Sequence, residues 1–199
     1  MPNPHTAAGS STWQSGCVPA LSPSRVLVGP TIRLRSIRSD DQPALRLAAE
    51  DSAIQKYCFP NPEPTEVNKE QWVRLQLHPS DAQTARFAIA DHEDEALYGA
   101  ISLHIEVGKP TIAESGFWIA PEFRQRGFAL EAVEVIVDWV FRDLEIERME
   151  LFIDFDNLGS QSVATRAGFQ HHGDVSYPIP TGVTRDVQRW IREGVGSPS

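Results

Sequence analysis

The sequence has little cysteine, no excess of positive charge and no long apolar run, and each shortage removes a class of function. Cys17 and Cys58 stand 41 positions apart, with no CxxC pair and no histidine at ligand spacing. Free thiols of a reducing compartment are expected rather than a bridge. His171 and His172 are adjacent, and neighbours on a strand point to opposite faces, which argues against a metal shared between them. The formal net charge is −9, the wrong sign for holding nucleic-acid phosphates. No stretch approaches the roughly 18 apolar residues of a membrane span. The N-terminus lacks the basic region and continuous apolar stretch of a secretory signal. A cytoplasmic protein without nucleic-acid, membrane or metal partners is the expectation.

Charge is also missing from the first 24 residues, which hold no Lys, Arg, Asp or Glu and are rich in Ser, Pro, Ala, Thr and Gly. With no helical or strand period there, residues 1–24 read as a disordered extension, and residues 194–199 as a shorter tail. Trp13 is the one conspicuous residue of the extension. No internal repeat interrupts the rest. The 199 residues, 41% hydrophobic and 23% charged, suffice for one core and are short for two. One folded domain over residues 25–193 follows.

Within it, residues 31–38 alternate Ile32, Leu34 and Ser36 against Arg33, Arg35 and Ile37, a first strand. Ser39 with Gln42 fits a capping box; Asp40 and Asp41 suit the positive helix end, and Pro43 is tolerated in the first turn. That helix runs to about residue 51. Pro60, Pro62 and Pro64 make 59–64 a loop, and a second helix covers 65–77. Strands at 86–90 and 97–106 flank an acidic turn, and a third follows at 111–120. Residues 129–144 form the clearest helix, with Val133, Ile136, Val140 and Leu144 in one stripe opposite Glu131, Glu134, Asp138 and Arg142. Met149, Leu151, Ile153 and Phe155 alternate with Glu150, Phe152 and Asp154 in a strand. A short helix at 158–166 stops at Gly168, and one or two strands close the chain. The order β-α-α-β-β-β-α-β-α-β-β is an α/β class, a mixed central sheet of about six to seven strands flanked by about four helices.

The chemistry concentrates in Pro121-Glu122-Phe123-Arg124-Gln125-Arg126-Gly127-Phe128-Ala129, between a strand and the long helix. A loop entering a helix presents unpaired backbone N–H groups, and the helix dipole adds partial positive charge. Gly127 permits a turn closed to other residues and lets an anion approach the backbone. Arg124 and Arg126 add charge, and Ala129 keeps the helix start slim. The segment reads as a diphosphate cradle. It lacks the GxxxxGK[ST] of nucleotide hydrolases and the GxGxxG of dinucleotide folds.

This segment resembles the [Q/R]-x-x-G-x-[G/A] loop of the GNAT superfamily of N-acetyltransferases, matched here by Arg124, Gly127 and Ala129. The flanks strengthen the resemblance: Glu114 to Pro121 before it, Leu130-Glu131-Ala132 after it, then Asn157, Ser160 and Gly168-Phe169 in an N-x-x-S…GF element. Arg185-Asp186-Val187 is similar to the family's closing strand. The likeness covers residues 31–191, is strongest over 114–169, and is closest to the branch of Rim-type ribosomal-protein N-terminal acetyltransferases and many small-amine acetylators. It implies the GNAT fold, acetyl-CoA as co-substrate without a metal, and transfer of acetyl to a primary amine, either a protein N-terminus or a small molecule. A monomer or homodimer is equally compatible.

Residue by residue, the resemblance implies that main-chain groups of Trp118, Ile119 and Ala120 bond the pantetheine arm, lying between two parallel strands that splay apart. Arg124, Gln125, Arg126, Gly127, Phe128 and Ala129 grip the pyrophosphate. Asn157 reaches the arm from the other side, a reading preferred to that of a helix N-cap, and Ser160 falls near the thioester sulfur. Many members carry a Tyr seven residues after this Asn as the acid for the departing thiolate; here the position is Ala164. Glu114 is the candidate base and Ser160, or water, the candidate acid, with a strand N–H near Ile119 polarising the carbonyl. A non-catalytic acyl-CoA sensor is the competing expectation. Tyr57, Phe59, Trp72 and Trp190 suit either core or acceptor pocket, and the loops at 56–70 and 177–184 would shape that pocket.

Overall fold

The computed structural model describes residue 21 and residues 25–59, 63–78, 83–93, 95–105, 108–109, 111–144, 146–178, 182 and 184–194. Most of both expected tails, with Trp13 and Cys17, lies outside the described residues. Among those described, eight strands form one sheet: β1 (Leu27–Val28), β2 (Ile32–Ser36), β3 (Thr84–Asp91), β4 (Leu97–Ile105), β5 (Ile112–Ile119), β6 (Arg148–Ile153), β7 (Gln170–Pro178) and β8 (Thr184–Glu193). Five helices accompany them: α1 (Gln42–Ala48), α2 (Ser52–Cys58), α3 (Glu66–Leu77), α4 (Phe128–Asp143) and α5 (Leu158–Arg166). The sheet order is β1-β2-β3-β4-β5-β6-β8-β7. Every neighbouring pair is antiparallel except β5 and β6, where α4 carries the chain back across the sheet.

Strand alternation serves two cores at once. On one face Ala85, Phe87 and Ile89 of β3 and Ile101, Leu103 and Ile105 of β4 meet Val133, Ile136, Val137 and Val140 of α4. On the other, Ala88, Ala100 and Trp118 meet Leu45, Ile54, Trp72 and Val73 from α1, α2 and α3. The small residues of that second face leave room for indoles. Trp72 stacks on Phe59 at 5.4 Å and tilts against Trp118 at 5.3 Å between ring centroids. The first turn of α4 is anchored by Glu131, whose carboxylate accepts bonds from Thr31 N (2.7 Å), Ile32 N (3.0 Å) and Thr31 Oγ1 (2.5 Å).

The expected element order holds once the short strand β1 is placed before its first strand, and three further differences appear. The helix read over 39–51 is a 3₁₀ turn at Ser39–Asp41 followed by α1, and an unexpected helix, α2, comes after it. Asp51 starts α2 by accepting a bond from Ile54 N at 2.9 Å. Helix α2 was hidden because only Ile54 on it is buried, which leaves no periodic stripe. The Ser39–Gln42 box is not formed; the Asp41 carboxylate accepts from Arg38 N at 2.7 Å instead. Finally, Phe155 lies beyond the end of β6 and is exposed: the alternation of residue types outlasts the sheet.

Candidate active site

The parallel pair β5 and β6 is in register only at Ile112 with Arg148, Ala113 with Met149 and Glu114 with Glu150. Beyond Glu114 the strands part, β5 following β4 to Ile119 and β6 following β8 to Ile153. Ala120 N donates to Tyr98 O at 2.9 Å, which fixes the alternation of the antiparallel β4–β5 pair. The main chain of Trp118 then turns toward β4, and that of Phe117 and Ile119 toward the split. Ile119 O accepts from Arg124 Nε at 3.0 Å, so Ile119 N–H and both main-chain groups of Phe117 face the opening. Of Trp118, Ile119 and Ala120, Ile119 is the one whose main-chain N–H faces the opening. Phe117 joins it, and only the register reveals that.

On one side of the split lies the loop into α4. A 3₁₀ turn, Pro121–Phe123, is followed by two left-handed residues, Gln125 (φ 60°) and Gly127 (φ 87°), the latter at the α4 N-cap. No side chain caps α4, and its first N–H groups open toward the loop. A Cβ on Gly127 would meet no protein atom within 4 Å, so the space beside it is open. Tyr98 holds the loop's shape, with Phe123 at 4.4 Å on one side and Phe128 stacked at 4.6 Å on the other. Sequence reasoning missed Tyr98.

The two arginines are not alike. Arg124 donates to both Asp51 oxygens, at 3.3 and 2.5 Å, and so ties the loop to the start of α2. Burial disfavours the charged form of Asp51, but the Arg124 hydrogen bond and the N–H of Ile54 outweigh it and hold the carboxyl below its usual range. Arg126 donates to Glu122 O at 2.9 Å and lies over the Phe123 ring, exposed. The cradle's positive potential thus comes mainly from backbone N–H groups, the helix end and Arg126.

Across the split stands α5. Asn157 caps it, its Oδ1 accepting from Ser160 N at 3.1 Å, which leaves the amide N–H groups of Asn157 as donors. Ser160 faces the opening, whereas Ala164 is fully buried in the α4–α5 core. A cavity of ≈ 720 Å³ passes through the split, with Phe128 and Val163 on the α4–α5 face and Tyr57, Trp72 and Gln76 on the other. Trp118, Ile119, Asn157, Ser160 and residues 124–129 all line it. Ala120, buried in the α1–α3 core, and Glu114 do not. Trp72 and Phe59 are core residues, and Trp72 also walls the cavity. Trp190 packs half-buried against the α4–α5 core. Burial pushes the thiol of Cys58, in the cavity wall, up to about 12, which favours its protonated form.

Glu114 sits where the strands begin to part, half-buried, and accepts a 2.6 Å bond from Tyr177 Oη. Tyr177 packs on Phe152, with ring centroids 4.5 Å apart. A parallel pair that opens beside a left-handed glycine turn and a helix N-terminus is matched by a known family: the profile described as an acetyltransferase (GNAT) domain covers residues 31–170.

The chain belongs to the GNAT acetyltransferase family.

YdaF of Bacillus subtilis (strain 168), provisionally named a ribosomal N-acetyltransferase, is 35% identical over 119 residues, which are 52% of this GNAT chain and 65% of YdaF. The chain spans between 49% and 65% of the length of three Bacillus subtilis relatives. Among solved structures, RimL, a ribosomal L7/L12 α-N-protein acetyltransferase in complex with CoA, superposes with a TM-score of 0.67 at 22% identity, covering 85% of this chain and 98% of that one. Spermidine N-acetyltransferase from Vibrio cholerae, with CoA and spermine, gives 0.64 at 23% identity, covering 81% and 95%. At these identities the structural likeness is one of fold. No helix among the described residues is long and apolar enough to cross a membrane.

Proposed function

We propose that the chain is an acetyl-CoA-dependent N-acetyltransferase of the cytoplasm that acts on a primary amine. The observation that carries this reading is the single cavity joining the open cradle of Gly127 to the split between β5 and β6, with Ser160 at its wall. A diphosphate fits the space beside Gly127, where no side chain intrudes, and a slender arm fits the gap where Phe117 and Ile119 present main-chain groups. The family relationship supports the same assignment, and the relatives' names give no support to a non-catalytic sensor.

Acetyl-CoA supplies the acetyl group as an activated thioester. The protein's residues supply grip and proton handling. Gln125, Arg126, Gly127, Phe128 and Ala129 hold the pyrophosphate through backbone N–H groups and one guanidinium, and Arg124 keeps that loop in place from Asp51. Trp118 holds the strand edge from which Ile119 presents its N–H to the acetyl carbonyl. Ala120 anchors the strand end to Tyr98. The N–H₂ of Asn157 contributes from α5. The nitrogen of a neutral amine bonds to the acetyl carbon as the carbon–sulfur bond breaks; the amine proton passes to Glu114 through water, and the thiolate takes a proton from Ser160 or water. Ala164, buried, has no part in that last step.

Release of free CoA thiol by the purified protein, with acetyl-CoA and a panel of amines, tests the reading. Amine-dependent thiol release is expected. Tight acetyl-CoA binding without thiol release from any amine would return the chain to the class of binding modules.

A further inference from the structure

The segment that follows the cradle, Leu130-Glu131-Ala132, has no part in the transfer step, yet it sets an acid beside the place proposed for an anion. Glu131 is the acidic residue of the first turn of α4, one turn, about 6 Å, beyond Gly127. A helix N-terminus attracts negative charge, and a glutamate of the first turn can fold back onto the N–H groups there, as the acid of a capping box does. In α4 the first N–H with an acceptor one turn back is that of Glu131, which donates to Gly127 O at 3.1 Å. The groups ahead of it are open to a ligand and to this carboxylate alike. An untethered Glu131 is therefore a rival for the diphosphate.

The fold directs that carboxylate elsewhere. Oε1 accepts from Thr31 N at 2.7 Å and from Ile32 N at 3.0 Å, and Oε2 accepts from Thr31 Oγ1 at 2.5 Å. Two backbone N–H groups and a hydroxyl give the carboxylate the donors that the helix end would otherwise offer. Gly29, in the same connection between β1 and β2, makes the room. A Cβ on Gly29 would come within 2.5 Å of Glu131 Oε1 and 3.1 Å of Val135 Cγ2, one helical turn further on. Gly29 N donates to Ile32 O at 2.9 Å, so the position of these donors is set by the β1–β2 connection and not by α4.

We propose that Glu131 is a positioning residue for acetyl-CoA. Its tether to Thr31 and Ile32 fixes the first turn of α4 and keeps the carboxylate off the N–H groups that hold the diphosphate, and the absent side chain of Gly29 permits the tether. A segment 100 residues away in sequence thus shapes the cradle. This role rests on the acetyl-CoA-dependent reading above for its ligand.

Calorimetric Kd values for acetyl-CoA, with the full chain, test it in Gly29→Ala, Glu131→Ala and the double variant. Gly29→Ala leaves α4 unaltered and pushes the flexible end of Glu131 out of its place with its charge intact. Affinity should fall about tenfold, the scale of one charge-assisted hydrogen bond gained by a competitor. Glu131→Ala loses the tether but also the rival charge, and should weaken binding only about threefold. The double variant should bind like Glu131→Ala, so that a second substitution recovers affinity lost to Gly29→Ala. With an amine that the wild type accepts, the acetyl-CoA KM should follow the same order, while kcat and the amine KM of Gly29→Ala stay at their wild-type values. A general loss of structure would move all three. Should Glu131→Ala fail to fold, Glu131→Gln takes its place, keeping an acceptor for both N–H groups and removing the charge. Gly29→Ala binding as the wild type does, or a double variant no tighter than Gly29→Ala, overturns the proposal and leaves the acetyltransferase reading standing. Affinities in the expected order with thiol release from no amine overturn that reading and leave the tether. No binding of acetyl-CoA by the wild type overturns both.

Discussion

Tyr177 of β7 reaches over Phe152 to donate a 2.6 Å hydrogen bond to Glu114, the last residue of β5 still in register with β6. The carboxylate proposed as base is therefore held by the edge strand β7, across the point where β5 and β6 separate. Glu114→Gln should lower turnover by ~10²- to 10⁴-fold, most severely at low pH. A protein α-amine has an unperturbed pKa of about 8, so fewer acceptor molecules are already neutral there. Tyr177→Phe keeps the ring on Phe152 and removes only the hydrogen bond; turnover should fall by roughly three- to tenfold with the acetyl-CoA KM unchanged. Thiol release between about pH 6 and pH 9 checks both. A flat, wild-type-like profile for Glu114→Gln would remove that residue from the mechanism.

A second expectation concerns stability alone. Arg35 and Asp41 form a bidentate pair with both bonds at 2.8 Å and side chains 4% and 8% exposed. Burial favours the neutral acid, but hydrogen bonds from Arg35 and from Arg38 N hold the Asp41 carboxyl below its usual range. With the folded value depressed, the stabilisation is complete above the unfolded carboxyl range and fades as pH falls through the folded value. Asp41→Asn leaves Arg35 buried without its counter-charge and should cost about 3–5 kcal/mol at neutral pH. Thermal melts of both proteins should converge as the medium is acidified below about pH 4, the ordinary carboxyl range.

Much of this was legible before any coordinates. Helix α4 announced itself because Val133, Ile136 and Val140 repeat with the helical period, and the 124–129 loop because its chemistry is local in sequence. What stayed hidden depends on long-range pairing. The main-chain orientation of Phe117 and Ile119 follows from which groups β4 has already engaged, and Tyr98 is 25 to 30 residues away from the aromatics it separates. Arg124 reads as a free phosphate ligand until Asp51 is seen beside it. Asn157 takes its capping role, one of the two that its position allowed.

A further prediction concerns where the folded unit begins. Leu21, read as part of the extension, is buried in the α4–α5 core. A chain beginning at Arg25 loses that side chain and should lose roughly 1.5–3 kcal/mol, whereas one beginning at Leu21 should keep the full-length melting temperature. Equal melting temperatures for the two truncations would show that Leu21 contributes nothing to the core.

The cradle gives the last prediction, because its geometry ranks three substitutions. At Gly127 the φ of 87° is unfavourable for any side chain and worst for a β-branched one. A Cβ there meets no protein atom within 4 Å, so a new side chain would occupy the volume proposed for the diphosphate. Gly127→Val should therefore bring acetyl-CoA binding below calorimetric detection while the domain still melts cooperatively. Arg126→Ala removes one exposed cation among several backbone donors and should weaken binding only about three- to tenfold. Arg124→Ala acts differently, because Arg124 holds Asp51 and Ile119 O rather than open space. It should lower the melting temperature along with affinity, and Asp51→Asn should reproduce both effects in part. Calorimetry and melting on the same four proteins separate the cases. Normal acetyl-CoA binding by Gly127→Val would assign the loop another ligand, and a purely binding defect in Arg124→Ala would make that arginine a direct phosphate contact after all.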